Sequence, residues 1–242
     1  MQLSKYEHAL AYEIFIKREY SVLDQLIRHS KTIFDIWGNI GLFTAYCMLI
    51  KDSYEFGSTA VDEVLNRLQG TNTKHDFEIH FFEPIKESFD KARELLYPFS
   101  SDIVFNNFWI WAEPVARGIF LNAQKPMQSS VIKDSFLWCG WNHVVCDFIK
   151  LWTYIEETDI SKIDLLKMDV EWCEFEILLD LDEKFFSIID HIFLEYHILS
   201  DDISAQFDNL IAKLRKFYPN MKIISSDFSE RLWYIFASKI KI

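Results

Sequence analysis

The hydrophobic and polar positions of this chain alternate between short apolar runs and longer amphipathic stretches. Between the runs, apolar residues recur at helical spacing, for example at Ile85, Phe89, Ala92 and Leu96. Strands that alternate with amphipathic helices are typical of an α/β fold with a mainly parallel sheet. Five runs are predicted to be its core strands: KTIFDI, FEIHFFEP, residues 103–108, KIDLLKMDV and HIFLEYHI.

The rest of the chain extends this fold without adding a second one. The segments MKIISSDF and RLWYIFASK near the end of the chain predict an antiparallel pair at one sheet edge. Residues 112–142 are rich in turn formers and predict hairpin strands. Because no repeat and no linker interrupts the pattern, we predict one domain over residues 1–242, with residues 1–27 as a lead-in segment.

Charge and cysteine content exclude several classes of partner and site. The net charge is −12, and no long basic run is present, so nucleic acid and anionic lipid are not expected partners. No apolar run reaches the roughly 20 residues of a membrane span, and the first residues do not resemble a secretory signal peptide. We therefore expect a cytoplasmic protein. The four cysteines form no metal-binding spacing, which predicts buried thiols and no metal site.

The stretch FDIWGNIGLF carries the first candidate site. A strand ends at Asp35 and runs into Gly38, Asn39 and Gly41, after which a helix begins. Such a loop is built like a nucleotide-type cofactor loop. Position 36, however, is Ile where the dinucleotide fingerprint has Gly, and no GK[ST] follows, so a nicotinamide-dependent dehydrogenase and a P-loop are disfavoured.

Acidic residues also end the second and fourth predicted strands. Glu83 ends the second, and its carboxylate can accept two hydrogen bonds from a ribose diol. Asp169 and Glu171 end the fourth. In an open α/β sheet, ligands bind outside the carboxyl ends of the strands. The pattern therefore suits a cofactor with a ribose and a positive centre but no phosphates, as in S-adenosylmethionine.

At these motifs the chain resembles the FkbM-type S-adenosylmethionine-dependent methyltransferases, from about Ile14 to Lys239. FDIWGNIGLF aligns with the family's Asp-x-Gly-Ala-Asn-x-Gly loop, and FFEP matches its Glu-Pro pair. The most specific match is LLKMDVEWCEFEIL, residues 165–178, to the block Leu-Lys-x-Asp-Val-Glu-Gly-x-Glu. The resemblance implies a Rossmann-like methyltransferase fold with helices on both faces of the sheet.

The resemblance also implies roles for individual residues. Asp169 and Glu171 would face the methyl group and the acceptor as catalytic residues. A helix N-terminus favours negative charge as well, so a purely structural role for Glu171 stays open. The cofactor would be bound by Asp35, Trp37, Gly38, Asn39, Gly41, Glu83, Pro84, Asn107 and Phe108.

Two departures from the family pattern are both tryptophans. Trp37 and Trp172 stand where the family has glycine, and an indole at either position should block the pocket or distort the turn. The chain has 6 Gly and 8 Trp, so UGA codons that encode glycine but were translated as tryptophan are one explanation. Genuine substitution in an inactive relative is the other.

The sequence as a whole predicts an S-adenosylmethionine-dependent methyltransferase. We expect O-methylation of a hydroxyl on a small molecule or sugar. The alternative is a catalytically inactive, methyltransferase-like binding or scaffold protein whose cofactor cleft is occluded by Trp37 and Trp172.

Overall fold

The computed structural model describes residues 3–58, 60–70, 75–112, 118–122, 129–130, 141–170, 174–197, 203–225 and 232–241. They fall into two compact units, Met1–Asn107 and Phe108–Ile242. The single domain expected over residues 1–242 stays a prediction. Among the described residues, no helix has the length and apolar content that crossing a membrane requires.

The first unit alternates helices and strands, as the periodicity predicted. A π-helix, Tyr12–Ile16, directly follows its first α-helix. The α-helices and strands of this unit are α1 Lys5–Ala11, α2 Asp24–His29, β1 Thr32–Ile36, α3 Leu42–Lys51, α4 Val61–Gln69, β2 Glu78–Phe82, α5 Lys86–Leu95 and β3 Ile103–Asn106.

The second unit contains the remaining elements. Its short helices α6 and α8 were not predicted from the sequence. The elements are β4 Trp109–Ile110, β5 Gly118–Asn122, β6 Ser129–Ser130, β7 Trp141–Val145, β8 Phe148–Ile149, α6 Leu151–Glu157, β9 Ile163–Met168, α7 Glu174–Asp180, α8 Glu183–Phe186, β10 Ile189–His197, α9 Ile203–Arg215, β11 Asn220–Ser225 and β12 Leu232–Ser238.

The five predicted core strands pair in parallel within each unit. In the first unit, β1 pairs with β2 and β2 with β3, both in parallel. In the second unit, β9 and β10 are parallel, whereas β12 pairs antiparallel with both β10 and β11. The α/β class, the parallel core and the antiparallel edge are therefore confirmed. Hairpin strands were predicted in residues 112–142; there β5 pairs antiparallel with β6, and it also pairs antiparallel with β7, most of which lies beyond that range.

The apolar helix α3, which follows the loop after β1, lies in the core of the first unit. Every residue of α3 except Lys51 is buried, which is why LFTAYCMLI is apolar all round rather than amphipathic. Helices α4 and α5 bury only one face each. Since parallel strands end at the same edge of a sheet, the residues after β1, β2 and β3 lie at one edge.

Two smaller predictions have a definite outcome. The third strand is shorter than predicted, because β3 ends at Asn106 and β4 begins only at Trp109. Cys47 and Cys146 are buried free thiols, as expected. Cys139 and Cys173 lie outside the described residues.

Candidate functional site

The loop between β1 and α3 contains three residues with left-handed backbone. Trp37 has φ 66°, Asn39 has φ 53° and Gly41 has φ 84°. Glycine adopts this region without strain, and asparagine tolerates it better than most residues. Trp37 carries a bulky side chain in a conformation that costs of order 1–3 kcal/mol. The loop shape is thus one that the family's glycine would suit better than tryptophan.

Both loop glycines are required by packing inside the first unit. A Cβ on Gly38 would lie 2.1 Å from Cε2 of Phe81 and 2.9 Å from Oδ2 of Asp35. A Cβ on Gly41 would lie 2.7 Å from Cδ1 of Leu96. Real side chains do not tolerate such distances. Glycine at these positions therefore lets the loop lie directly against β2 and the residue that follows α5.

Asp35 ties the end of β1 to the start of α3. Its side chain is fully buried, and its Oδ2 accepts a hydrogen bond from Oγ1 of Thr44 at 2.7 Å. A carboxylate near the first turn of a helix is also favoured by the helix dipole. The predicted role of Asp35 in shaping the loop is consistent with this contact, while its proximity to a bound cofactor stays a prediction.

Glu83 is the centre of the hydrogen-bond network at this edge of the first unit. Its side chain is 1% exposed, and its Oε2 accepts from the backbone N–H of Asn39 at 2.9 Å. Its Oε1 accepts from the backbone N–H of Ile85 at 2.7 Å. The carboxylate therefore holds the loop after β1 and the turn after β2 together through one bond from each oxygen.

Asparagine side chains hold the turn that follows β2. Nδ2 of Asn107 donates to the carbonyl oxygens of Glu83 at 2.8 Å and Pro84 at 3.2 Å. The backbone N–H of Glu83 donates to the carbonyl of Asn106 at 3.0 Å. Asn107 was predicted to lie near an adenine. The structure shows it bracing the Glu-Pro turn, and the adenine contact stays a prediction.

One polar atom of the loop is buried and unsatisfied. Oδ1 of Asn39 has no hydrogen-bond partner among the described residues. A buried acceptor without a donor costs free energy of about 1–3 kcal/mol, and a ligand N–H or O–H could supply that donor. The loop therefore fits a ligand that brings hydrogen-bond donors, such as the ammonium group or ribose hydroxyls of S-adenosylmethionine.

Of the two tryptophans that depart from the family pattern, the structure describes only Trp37. Trp37 is 5% exposed, so its indole is buried. Trp172 and its neighbour Glu171 lie outside the described residues, and the proposals for both stay predictions. Phe108, predicted near the adenine, belongs to the second unit, where its half-buried ring lies 5.9 Å from that of Tyr154.

In the second unit, Asp169 directly follows β9. Its Oδ2 lies 3.9 Å from Nζ of Lys167, and its Oδ1 is buried with no hydrogen-bond partner among the described residues. Glu174 behaves as a helix-start residue, because its Oε1 accepts from the backbone N–H of Val170 at 3.2 Å. Asp169 therefore presents a buried oxygen to an incoming donor, while Oε1 of Glu174 bonds to the backbone ahead of α7.

The structure brings most of the predicted cofactor residues into one place. Asp35, Gly38, Asn39, Glu83 and Asn107 are connected through hydrogen bonds and packing within the first unit. Reasoning from the sequence missed the partners that hold them, which are Thr44, Phe81, the backbone of Ile85, and Lys167 beside Asp169 in the second unit. No motif identifies the first three, whereas Lys167 stands inside the quoted block LLKMDV.

A solved structure of low sequence identity has the same fold. The chain is similar to the crystal structure of an rRNA-methylase from Clostridium thermocellum, with a TM-score of 0.50, 6% identity, and coverage of 93% of this chain and 97% of that one. It is also similar to a methyltransferase FkbM from Methylobacillus flagellatus, with a TM-score of 0.48, 10% identity, and coverage of 86% and 43%. A comparison with curated proteins gave no match.

A family model matches part of the chain. Residues 139–218 match the methyltransferase FkbM domain. The matched segment includes the block LLKMDVEWCEFEIL but neither the loop after β1 nor the Glu-Pro pair. The match agrees with the resemblance that this block indicated: residues 139–218 are similar to the methyltransferase FkbM domain, and the chain has a Rossmann-like methyltransferase fold.

Proposed function

We propose that this protein is an S-adenosylmethionine-dependent methyltransferase that methylates a hydroxyl group on a small molecule or sugar. The observation that carries the proposal is the hydrogen bond from the backbone N–H of Asn39 to the carboxylate of Glu83. A buried carboxylate holds the loop at the carboxyl ends of parallel strands, and the same loop residue presents an unsatisfied acceptor. Ligands of open α/β sheets bind outside this edge.

The first unit supplies the cofactor contacts in this proposal. Glu83 accepts from the ribose hydroxyls, and Oδ1 of Asn39 accepts from a donor of the methionine end or the ribose. The carboxylates of Asp35 and Glu83 add negative charge near the loop, which suits a cationic ligand and opposes a pyrophosphate. When bound, S-adenosylmethionine supplies a methyl group on a positively charged sulfur.

Asp169 is the residue proposed to act on the acceptor. Asp169 accepts the proton of the acceptor hydroxyl as the oxygen takes the methyl group. A carboxylate in this role contributes typically 10²- to 10⁴-fold to the rate. Orienting the hydroxyl for in-line attack contributes further, because it removes the entropy cost of alignment. Glu171 is proposed to orient the acceptor.

The net charge of −12 favours uncharged acceptors over nucleic acid and anionic membranes. We propose a cytoplasmic protein that acts on small or glycan acceptors. These proposals rest on the charge and on the sequence pattern.

Calorimetry tests the cofactor directly. We expect S-adenosylhomocysteine to bind and NAD⁺ not to bind. Asn39→Gly, which keeps the left-handed backbone but removes Oδ1, should weaken binding about tenfold, the effect of one hydrogen bond of ~1.4 kcal/mol. Asn66→Ala, on an exposed position of α4, is the control and should change nothing. Binding of NAD⁺ in preference to S-adenosylhomocysteine would contradict the proposal.

A further inference from the structure

A groove in the second unit lies at the opposite ends of β9 and β10 from Asp169. Its volume is about 420 Å³, and residues of α6, α8 and the segments that lead into β9 and β10 line it. Among them are Ser161, just ahead of β9, and Ile188, just ahead of β10. Since β9 has six residues and a strand advances about 3.3 Å per residue, the groove lies about 20 Å from Asp169.

The end of α6 shapes one wall of this groove. Asp159 has φ 53°, and the backbone N–H of Ile160 donates to the carbonyl oxygen of Ile155 at 3.2 Å. The N–H of Asp159 donates to the carbonyl oxygen of Glu156 at 3.4 Å. Together they form a Schellman motif, in which the left-handed position is usually glycine. The chain thus carries a carboxylate beside the groove where glycine would be less strained.

The groove carries one charged group without a partner. Nζ of Lys184 lies 2.8 Å from Oε1 of Glu156 and 4.6 Å from the ring centroid of Phe185, so this ammonium is already compensated. Within the part of the chain that the structure describes, the exposed carboxylate of Asp159 makes no hydrogen bond and no ion pair. The three ionised side chains carry a formal charge of −1, and Asp159 is the one that stays uncompensated.

Charged residues next to the groove do not reverse this sign. The nearest lysine in the sequence is Lys162, whose Nζ lies 2.5 Å from Oδ1 of Asp164 and 3.0 Å from Oδ2 of Asp190. Glu157 and Asp182, which adjoin groove residues in the sequence, are exposed and add negative charge. The groove is therefore a negatively charged site.

We propose that this groove binds a small organic cation, an ammonium group on an apolar body, and that Asp159 is its counter-ion. Pockets of roughly 300–1,000 Å³ with a mainly apolar lining and a few polar groups bind small molecules. Ile160 and Ile188 are only half-buried, so they offer apolar surface to the body of the ligand. The ammonium donates to the carboxylate of Asp159. Binding here needs neither the cofactor nor Asp169, so it goes beyond the proposed function.

The test uses three indoles of similar size that differ in charge: tryptamine, a cation; tryptophol, which is neutral; and indole-3-acetate, an anion. Amide resonances of the isotope-labelled full chain are followed during titration with each compound. We expect tryptamine to shift the amides of residues 155–161 and 184–188. Its affinity should exceed that of tryptophol about fivefold, the scale of an exposed ion pair, and indole-3-acetate should bind most weakly. Shifts confined to other residues, or equal affinities for the three compounds, would overturn the assignment.

Two variants of Asp159 separate binding from stability. Glycine adopts the left-handed backbone of this position without strain, so Asp159→Gly should melt no earlier than the wild type. Both Asp159→Gly and Asp159→Asn should weaken tryptamine binding about fivefold, to the level of tryptophol. Glu157→Gln, at an exposed glutamate outside the groove lining, is the control and should keep the wild-type affinity. Unchanged tryptamine affinity in both Asp159 variants, or an equal loss in Glu157→Gln, would overturn the role of Asp159.

Discussion

The side-chain carboxylate of Glu83 accepts a hydrogen bond from the backbone N–H of Asn39 at 2.9 Å, across 44 positions of the chain. The bond joins the residue after β2 to the loop after β1. A buried carboxylate bonded to backbone N–H groups stabilises the loop in one shape, because each N–H would otherwise lack a partner. The geometry of the loop after β1 therefore depends on a side chain from the end of the neighbouring strand.

Glu83→Gln should separate the loop role of this residue from its ribose role. The amide has one acceptor oxygen, so the N–H of either Asn39 or Ile85 loses its partner. We expect the free energy of unfolding to fall by about 1–3 kcal/mol in urea denaturation. Glu87→Gln, on an exposed helical position, should leave it unchanged.

The ribose role of Glu83 is checked by calorimetry with S-adenosylhomocysteine and its 2′-deoxy analogue. If Glu83 binds the ribose, removing the 2′-hydroxyl should weaken binding to the wild type by more than it weakens binding to Glu83→Gln. An equal loss in both proteins would assign Glu83 to the loop alone.

Gly38→Ala should destabilise the protein, because the new methyl group would overlap the ring of Phe81. Overpacking in a buried site costs typically 1–3 kcal/mol. Gly57→Ala provides a matched control, since a Cβ at Gly57 meets no atom within 4 Å. Thermal denaturation of the two variants should show a clear loss only for Gly38→Ala. Equal melting temperatures would mean that the loop moves away from β2 without cost.

Trp37→Gly tests whether the indole occludes the cofactor cleft. Glycine relieves the left-handed strain of about 1–3 kcal/mol, but loss of a buried tryptophan costs about 3–5 kcal/mol. We expect a net loss of roughly 2 kcal/mol in unfolding free energy together with tighter binding of S-adenosylhomocysteine. Trp37→Phe keeps a ring and should bind as the wild type does. Unchanged affinity in Trp37→Gly would rule out occlusion at this position.

Asp169→Asn should retain the cofactor and lose methyl transfer. Loss of a proton-accepting carboxylate should lower turnover about 10²- to 10⁴-fold with little change in cofactor affinity. Glu171→Gln should show a smaller version of the same effect. Asp164→Asn, at the other end of β9, is the control, because Asp164 pairs with Lys162 away from the strand ends. An Asp169→Asn protein that melts earlier but turns over normally would assign Asp169 to helix stability.

The stability of the protein should fall below about pH 6.5 because of buried histidines. Burial lowers the pKa of His191 below its ordinary value of 6.5, and its Nδ1 has no hydrogen-bond partner among the described residues. Burial also lowers the pKa of His80, more than the Glu78 carboxylate raises it. The unfolded chain then binds protons at a pH where the folded protein does not, so acidification favours unfolding.

Urea denaturation between pH 7.5 and 5 measures this effect. Above pH 6.5, the contribution of these two histidines to the free energy of unfolding should be nearly constant. Below that value each histidine should contribute a loss of up to about 1.4 kcal/mol per pH unit. His191→Asn should flatten the dependence, whereas substitution of the exposed His29 by Asn should not. A steeper fall in His191→Asn would contradict the assignment.

The periodicity of the chain predicted the fold because strand and helix patterns are local. Asp35, Glu83 and Asp169 were found at strand ends for the same reason, since a run of apolar residues shows where a buried strand stops. The antiparallel pair of β11 and β12 was recognised from two adjacent apolar runs. Helix α6 was missed because its seven residues, LWTYIEE, are too few for a helical period to stand out.

The sequence by itself determined the elements, their order, the acidic strand ends and the family motifs, all of which depend on residues close together in the chain. Only the tertiary structure decided that Glu83 bonds to the loop at Asn39 and that Gly38 is needed for the ring of Phe81. These relations depend on which strands pair and in what register. Register is set by the packing of the whole sheet, so no short stretch of sequence contains it.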